Sequence, residues 1–430
     1  IINCNTMTLH GALSIILNIK PGKKESLERL LQEIDKDVNQ NSLIPFSKFS
    51  DIHFARFIVL DKSHDVNGNP IQERLIFTTN HDLPFDKHLN GLIQFGGNGL
   101  WKVFSMCDNF IEGEYDELIL RKFITENNYK AETFYVGVGD RSVTEIKEEN
   151  ILRKEIEKFI DDNRDNLIMK DEIELRKDIQ NFVFENKELE FAKIPVPEPP
   201  SDWTFMKIAK LILVIFGVIV FLPLVILFLF IWMIIVLIIE SNTKDEKCFI
   251  DREHVRELLN NENGIVQNQF SAYGNLKPGF FRLTTLKFIL ALTDFLAPYI
   301  FSKGRLSGIP TVHFARWIIL SEGRQMIFLS NYDGNSEGYL RDFINIAAKQ
   351  LTLIFTHVVG YPKTRLMIFG GAKDAKGFME WARQNQLITN VWFNAYPDLS
   401  VKNIFRNSKI RNGLYGEMNE IQAGNWLKLF

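Results

Sequence analysis

Cysteine is scarce: 430 residues contain three, Cys4, Cys107 and Cys248. They are too few and too scattered for a disulfide framework or a cysteine-bound zinc site. An excess of one charge is also missing. Fifty Lys and Arg against 53 Asp and Glu leave a net charge of −3, a balance that excludes nucleic acid as the main partner. There is no GxSxG, no P-loop, no GxGxxG after a strand and no HExxH, so no catalytic signature stands out. The N-terminus, Ile1 to Thr8, lacks the basic and apolar regions of a signal peptide. It begins without Met, which leaves room for an upstream segment. No N-x-S/T sequon occurs, and with so little cysteine this fits a cytosolic address for the soluble parts.

The sequence does contain one long apolar run. Residues 211–239 read LILVIFGVIVFLPLVILFLFIWMIIVLII, 29 residues without a charge. About 20 such residues suffice to cross a bilayer. As one helix the run would be ~43 Å long against ~30 Å of hydrocarbon, which requires tilt or a kink, and Pro223 supplies a place for one. The alternative is a hairpin with arms 206–222 and 224–239, turning at Pro223. Trp203 precedes the run as an interfacial anchor and Trp232 lies within it. Lys207 and Lys210 at its head lean toward a cytoplasmic N-terminal flank.

The soluble parts repeat. IHFARFIVL (52–60) matches VHFARWIIL (312–320), and LIFTTNHD (75–82) matches MIFLSNYD (326–333), in the same order. In the first half, a strand at 12–20, an amphipathic helix at 23–38, a strand pair at 53–60 and 74–79, a helix at 86–106 broken at Gly96-Gly97, and a strand at 131–139 give a β-α-β-β-α-β order. The second half is expected to follow with 266–276, a helix at 280–301, 312–320, 325–331, a helix at 338–358, and strands near 364–370 and 389–395. Extra helices are expected at 374–386 and 400–411. The expected domains are 1–142, a charged helical connector 143–192, a Pro-rich linker 193–205, the membrane segment 206–240, and 241–430.

The repeated strands are apolar on both faces, so each sheet needs cover on both sides. In this the chain resembles the dimeric α+β barrel superfamily, in which two ferredoxin-like sheets pair. The resemblance implies an α+β fold of two ferredoxin-like repeats forming a pseudo-dimeric barrel, with a central membrane hairpin or kinked transmembrane helix. Halves that pack together must lie on one side of the membrane, which favours the hairpin.

The paired blocks supply the candidate ligand-binding residues: His53, Arg56, Asn80 and Asp82, with His313, Arg316, Asn331 and Asp333. Residues i and i+3 on a regular strand face opposite ways, so each His and its Arg are expected on different faces. Structural ion pairs Arg56–Asp82 and Arg316–Asp333 are one expectation. The other is a pocket open toward the bilayer that binds a lipid-like or hydrophobic small molecule, with Arg316, His313 and Asn331 at its polar end. A catalytic version would be oxidative or lipid-modifying. Some dimeric α+β barrels bind haem, and the dye-decolorizing peroxidases among them carry GxxDG. SNYDG (330–334) matches that motif only at Asp333 and Gly334, with His357 as the candidate axial ligand. A competing class is a non-catalytic scaffold that holds a protein partner, or a second copy, through 143–192 and the barrel faces. The apolar stretch 280–301, with Arg282, Lys287 and Asp294, and the basic 402–414 are candidates for lipid contact.

Overall fold

The computed structural model describes residues 9–196, 201–243, 250–262, 266–300, 306, 308–320 and 323–430. The chain forms two units, one of 9–143 with 250–401 and one of 144–243 with 402–430. Cys4, Cys248, Lys244, Lys247, most of the proline linker and the Trp203 side chain lie outside what is described.

The first unit opens with β1 (His10–Asn18), α1 (Lys24–Lys36), β2 (Ile52–Leu60), the short pair β3 (Ser63–His64) and β4 (Pro70–Ile71), and β5 (Arg74–Asp82). Next come α2 (Phe85–Phe104), α3 (Glu117–Glu126) and β6 (Thr133–Val136). The chain then runs through α4 (Val143–Asp162), α5 (Arg164–Leu167), α6 (Glu172–Glu185), α7 (Ser201–Val220) and α8 (Leu222–Asn242). It returns as α9 (Arg252–Asn261), β7 (Gln267–Asn275), α10 (Phe280–Ile300), β8 (Val312–Leu320) and β9 (Gln325–Asp333). After α11 (Ser336–Ile346) and α12 (Ala348–Phe355) comes a two-residue hairpin of β10 (Thr364–Arg365) and β11 (Phe369–Gly370). The rest is α13 (Ala375–Gln384), β12 (Val391–Asn394), α14 (Val401–Asn412) and α15 (Glu420–Leu427). The fold class is α+β, with antiparallel sheets.

Two four-stranded sheets dominate, ordered β1-β5-β2-β12 and β6-β8-β9-β7. Each takes three strands from one half and its fourth from the other. Val391 to Asn394 pair with Phe57 to Phe54, and Thr133 to Val136 pair with Trp317 to Phe314. This exchange departs from the expectation that each half closes its own sheet.

Period-2 alternation sets the two faces of each sheet. Leu13, Ile15, Ala55, Phe57, Leu75 and Phe77 pack under α1 and α2, where Leu27, Leu31 and Ile34 of α1 form an i, i+4, i+7 stripe. The other faces meet: Ile16, Ile58, Leu60 and Ile76 join Ile318, Leu320, Ile327 and Leu329 in one apolar cluster. The sheets are therefore buried on both sides, as the apolar strands require. The edge strands β6 and β12 are also covered, because Asp294 of α10 accepts the Phe134 N–H (3.1 Å) and Asp35 of α1 accepts that of Trp392. This accounts for an acid on the otherwise apolar α10.

Two helices differ from their sequence reading. The break expected at Gly96-Gly97 is absent, and α2 is continuous. Its glycines serve close packing: a Cβ on Gly99 would lie 2.4 Å from Leu43 O, and one on Gly97 2.5 Å from the Tyr115 hydroxyl. The single helix expected over 338–358 is two, α11 and α12, meeting at Ala347.

In the second unit, Leu152 and Ile156 of α4, Ile179 and Val183 of α6, Ile410 of α14, Leu414 and Trp426 of α15 share a core. Residues 402–430, which sequence order groups with the second half, pack here. The helices α7 and α8 carry the apolar run. They meet at Phe221, and the ladder continues through the junction, Phe221 N–H donating to Gly217 O and Val225 N–H to Phe221 O. No turn forms at Pro223, which sits in the first turn of α8. The helix α8 is long and apolar enough to cross a membrane, with a mean hydropathy of 3.3 over its best window. Most side chains along the run are exposed, Leu213 at 69% and Leu224 at 62% among them, while Val236 near its end is buried.

Candidate functional site

The paired blocks place their polar residues on the facing sides of the two sheets. A β-bulge does this. Ile52 and Phe54 pair with the successive residues His81 and Asn80, so His53 is the extra residue, and the same shift occurs between Val312 and Phe314. The bulge resets the alternation, and His53 turns to the same side as Arg56. The regular-strand expectation of opposite faces fails for this reason.

The expected ion pairs are also replaced. His53 Nε2 bonds Asp82 Oδ1 at 2.8 Å, and His313 Nε2 bonds Asp333 Oδ1 at 2.7 Å. The second carboxylate oxygens accept backbone N–H groups at the starts of the departing helices, Val143 N to Asp82 Oδ2 (3.1 Å) and Val401 N to Asp333 Oδ2 (2.9 Å). A carboxylate at a helix N-terminus satisfies an orphan donor and complements the dipole.

The arginines cross between the sheets. Arg316 donates to Leu13 O (2.8 Å), Ser14 Oγ (2.9 Å) and Thr79 O (2.7 Å). Arg56 makes the matching set with Phe270 O (3.3 Å), Ser271 Oγ (2.8 Å) and Ser330 O (3.0 Å), and also bonds Asn331 Oδ1. Asn331 Nδ2 reaches Asn80 Oδ1 at 3.3 Å and its Oδ1 accepts from Trp392 Nε1 at 3.2 Å. Both guanidinium groups are buried, and desolvation pulls each down to about 9, which leaves them charged near neutrality. With carbonyls and hydroxyls as partners instead of carboxylates, they act as crossed clamps on the two sheets. All eight candidate residues thus lie in the inter-sheet layer, bonded to protein groups.

Sequence reasoning missed several participants. His10, at the start of β1, bonds Arg141 O at 2.9 Å, and Tyr396 after β12 bonds His53 Nδ1 at 2.8 Å. Ser14 and Ser271, the clamp acceptors, stand in ALSII and QFSAY. They stand at corresponding positions of the two first strands, a match that the repeat of the HFAR blocks implies.

A second polar chain lies on the helix side of the first sheet. Asp51 Oδ2 bonds His88 Nδ1 (2.7 Å), and His88 Nε2 meets Thr79 Oγ1 (2.9 Å). This acid–imidazole–hydroxyl order is that of a nucleophile relay, but the groups are buried and line no described cavity. The other half shows the structural content of the arrangement. Tyr339 takes the place of His88, bonding Ser330 and stacking on Tyr332 at 3.9 Å, just as His88 stacks on His81 at 3.9 Å.

Cavities among the described residues of the first unit include the following two. A polar cleft of ≈ 320 Å³ is lined by Asp35, Glu262, Asn268, Gln269 and Trp392, among others, and its Gln269 touches Arg56. An apolar slot of ≈ 80 Å³ lies among Ile289, Trp317, Phe343, Leu351 and Ile354. In the second unit an open groove of ≈ 700 Å³ runs past Leu167, Ile168, Leu175 and Ile421. Nothing in SNYDG fits haem: Asp333 spends both oxygens on His313 and Val401, and His357 lies beyond the end of α12 beside the cations Lys277 and Arg282. Comparison with known proteins identifies no relative, since no protein family, no curated protein and no solved structure matches this chain.

Proposed function

We propose that this protein is a membrane-anchored, non-catalytic scaffold that holds a rigid double-sheet unit on one face of a bilayer. The observation that carries the reading is an uncharged helical run, exposed along most of its length, that joins β1 to β6 on its N-terminal side to β7 to β12 on its C-terminal side, strands that interlock in one unit. A single crossing would place β1 to β6 on one side of the membrane and β7 to β12 on the other. The exchange of β6 and β12 forbids that. The run has no polar face with which to lie in the interface. A re-entrant hairpin meets both demands; it requires the junction at Phe221, continuous here, to open in the bilayer, and Pro223, which lacks one ladder donor, marks where that costs least. Lys207 and Lys210 favour the cytoplasmic side.

The matched strand order and the crossed arginines support a duplicated ferredoxin-like unit, akin to the dimeric α+β barrels, with the fourth strands exchanged. The partner-facing surface is the groove of the second unit, where Ile168 is 71% and Ile421 77% exposed. The test is flotation with liposomes of neutral and anionic lipid. The full chain should float, and a chain with 206–240 replaced by a Gly-Ser linker should stay soluble and sink. Flotation of the replaced chain would overturn the reading.

A second reading keeps a lipid-like ligand but moves it. The apolar slot beside α10, with Phe280 and Phe288 exposed at 86% and 61% on the same helix, is the place for the end of an acyl chain, the rest of which would lie along the exposed side of that helix. Mass spectrometry of lipid co-purified with the Gly-Ser variant separates the two, because a pure scaffold carries none.

A further inference from the structure

The two halves place a His–Asp pair at equivalent points, and they differ in what stands beside it. In the second half the neighbour is Gln267, whose amide is spent on Tyr396 O (3.0 Å) and on Leu399 O. In the first half it is His10. A pairing that only needs to cap a helix is met without a third donor, as His313 and Asp333 show.

We propose that His10, His53 and Asp82 form a binding site for one divalent transition-metal cation of the zinc class. The ends of three adjacent strands bring the donors together. His53 Nε2 stands 2.8 Å from Asp82 Oδ1, His10 Nε2 stands 3.8 Å from it, and all three ligand atoms lie within 4.8 Å of one another. Tetrahedral bonds of about 2.0–2.1 Å put ligand atoms roughly 3.4 Å apart, so the observed separations bracket the requirement and small side-chain shifts close the set. Two imidazoles and one carboxylate suit zinc, cobalt, nickel or iron, whereas magnesium and calcium require an oxygen shell.

The outer shell is in place for His53 and Asp82. His53 binds through Nε2 as the tautomer with its proton on Nδ1, which it then donates to the Tyr396 hydroxyl. The Val143 N–H holds Asp82 Oδ2, leaving Oδ1 for the cation. His10 exchanges its bond to Arg141 O for the metal. The Asp82 side chain is 13% exposed and gives the cation an entry, with water as the fourth ligand.

The test is calorimetric titration of the chelator-treated full chain in detergent with zinc sulfate, with cobalt as a spectroscopic probe. The wild type should bind one cation and show the visible bands of tetrahedral cobalt. His10→Gln, which installs the residue of the second half, should weaken binding by at least roughly 100-fold while its metal-free unfolding temperature stays close to wild type. Tyr396→Phe, which removes only the outer-shell bond, should weaken binding by roughly 10-fold. No binding by the wild type would overturn the proposal. So would equal binding by a folded His10→Gln chain, which would mark an adventitious surface site.

Discussion

At the residue scale the account rests on Arg56 and Arg316. Each guanidinium satisfies carbonyls and a serine of the opposite sheet inside the buried inter-sheet layer. Arg316→Met keeps much of the volume but strands Leu13 O, Ser14 and Thr79 O. It should cost about 3–5 kcal/mol in urea unfolding, as breaking buried charged networks does. A cost below about 1 kcal/mol would mean the clamp is not closed in solution. His357 offers a pH test. Burial, then Arg282 and Lys277, depress it to about 3, so below pH 6.5 the unfolded chain takes up a proton that the folded chain refuses. Its contribution to stability is complete above pH 6.5 and is lost toward pH 3, at about 1.4 kcal/mol per pH unit. His357→Leu should flatten that slope in urea midpoints measured between pH 7 and pH 4.5. These residues show how much of the site was legible. The repeats marked His53, Arg56 and their mates, because repetition survives in the letters. Their facing did not, because one bulge residue reverses a strand's alternation and leaves no mark in composition. His10 and Tyr396 were invisible because their contacts join positions far apart in the chain.

At the scale of elements, α2 shows where propensity misleads. Gly96, Gly97 and Gly99 predict a weak helix, yet the helix is whole because the chain around Leu43 and Ile44 lies against its bare face. Gly99→Ala should therefore destabilise the fold by about 1–3 kcal/mol from overpacking, although alanine would gain about 1 kcal/mol in an open helix. A stabilised variant, read by thermal unfolding, would refute the close approach. The strands β1, β2, β5 and β6 and the helices α1 and α2 of the first half were readable from periodicity to within a few residues, because one face of each is buried in a regular pattern, whereas α3 was not read. The β6 and β12 partnerships were not, because a four-residue strand carries no record of which sheet it joins.

For the whole molecule, the exchanged strands make the halves mutually dependent. Residues 9–143 alone leave β2 without β12 and expose an unpaired edge, and the second half alone leaves β8 without β6. Separately expressed fragments 1–196 and 250–430 should aggregate, and co-expressed fragments should purify as one complex. Independent folding of either fragment would contradict the interlock. The same interlock governs the membrane arrangement. The most direct measurement places single cysteines at Lys122 of α3 and Lys376 of α13, 74% and 87% exposed, in a chain whose own cysteines are replaced. A membrane-impermeant thiol reagent is then applied to sealed and opened vesicles. The account predicts that both sites react alike in each preparation; reaction of one and protection of the other in sealed vesicles would show the halves on opposite sides and contradict it.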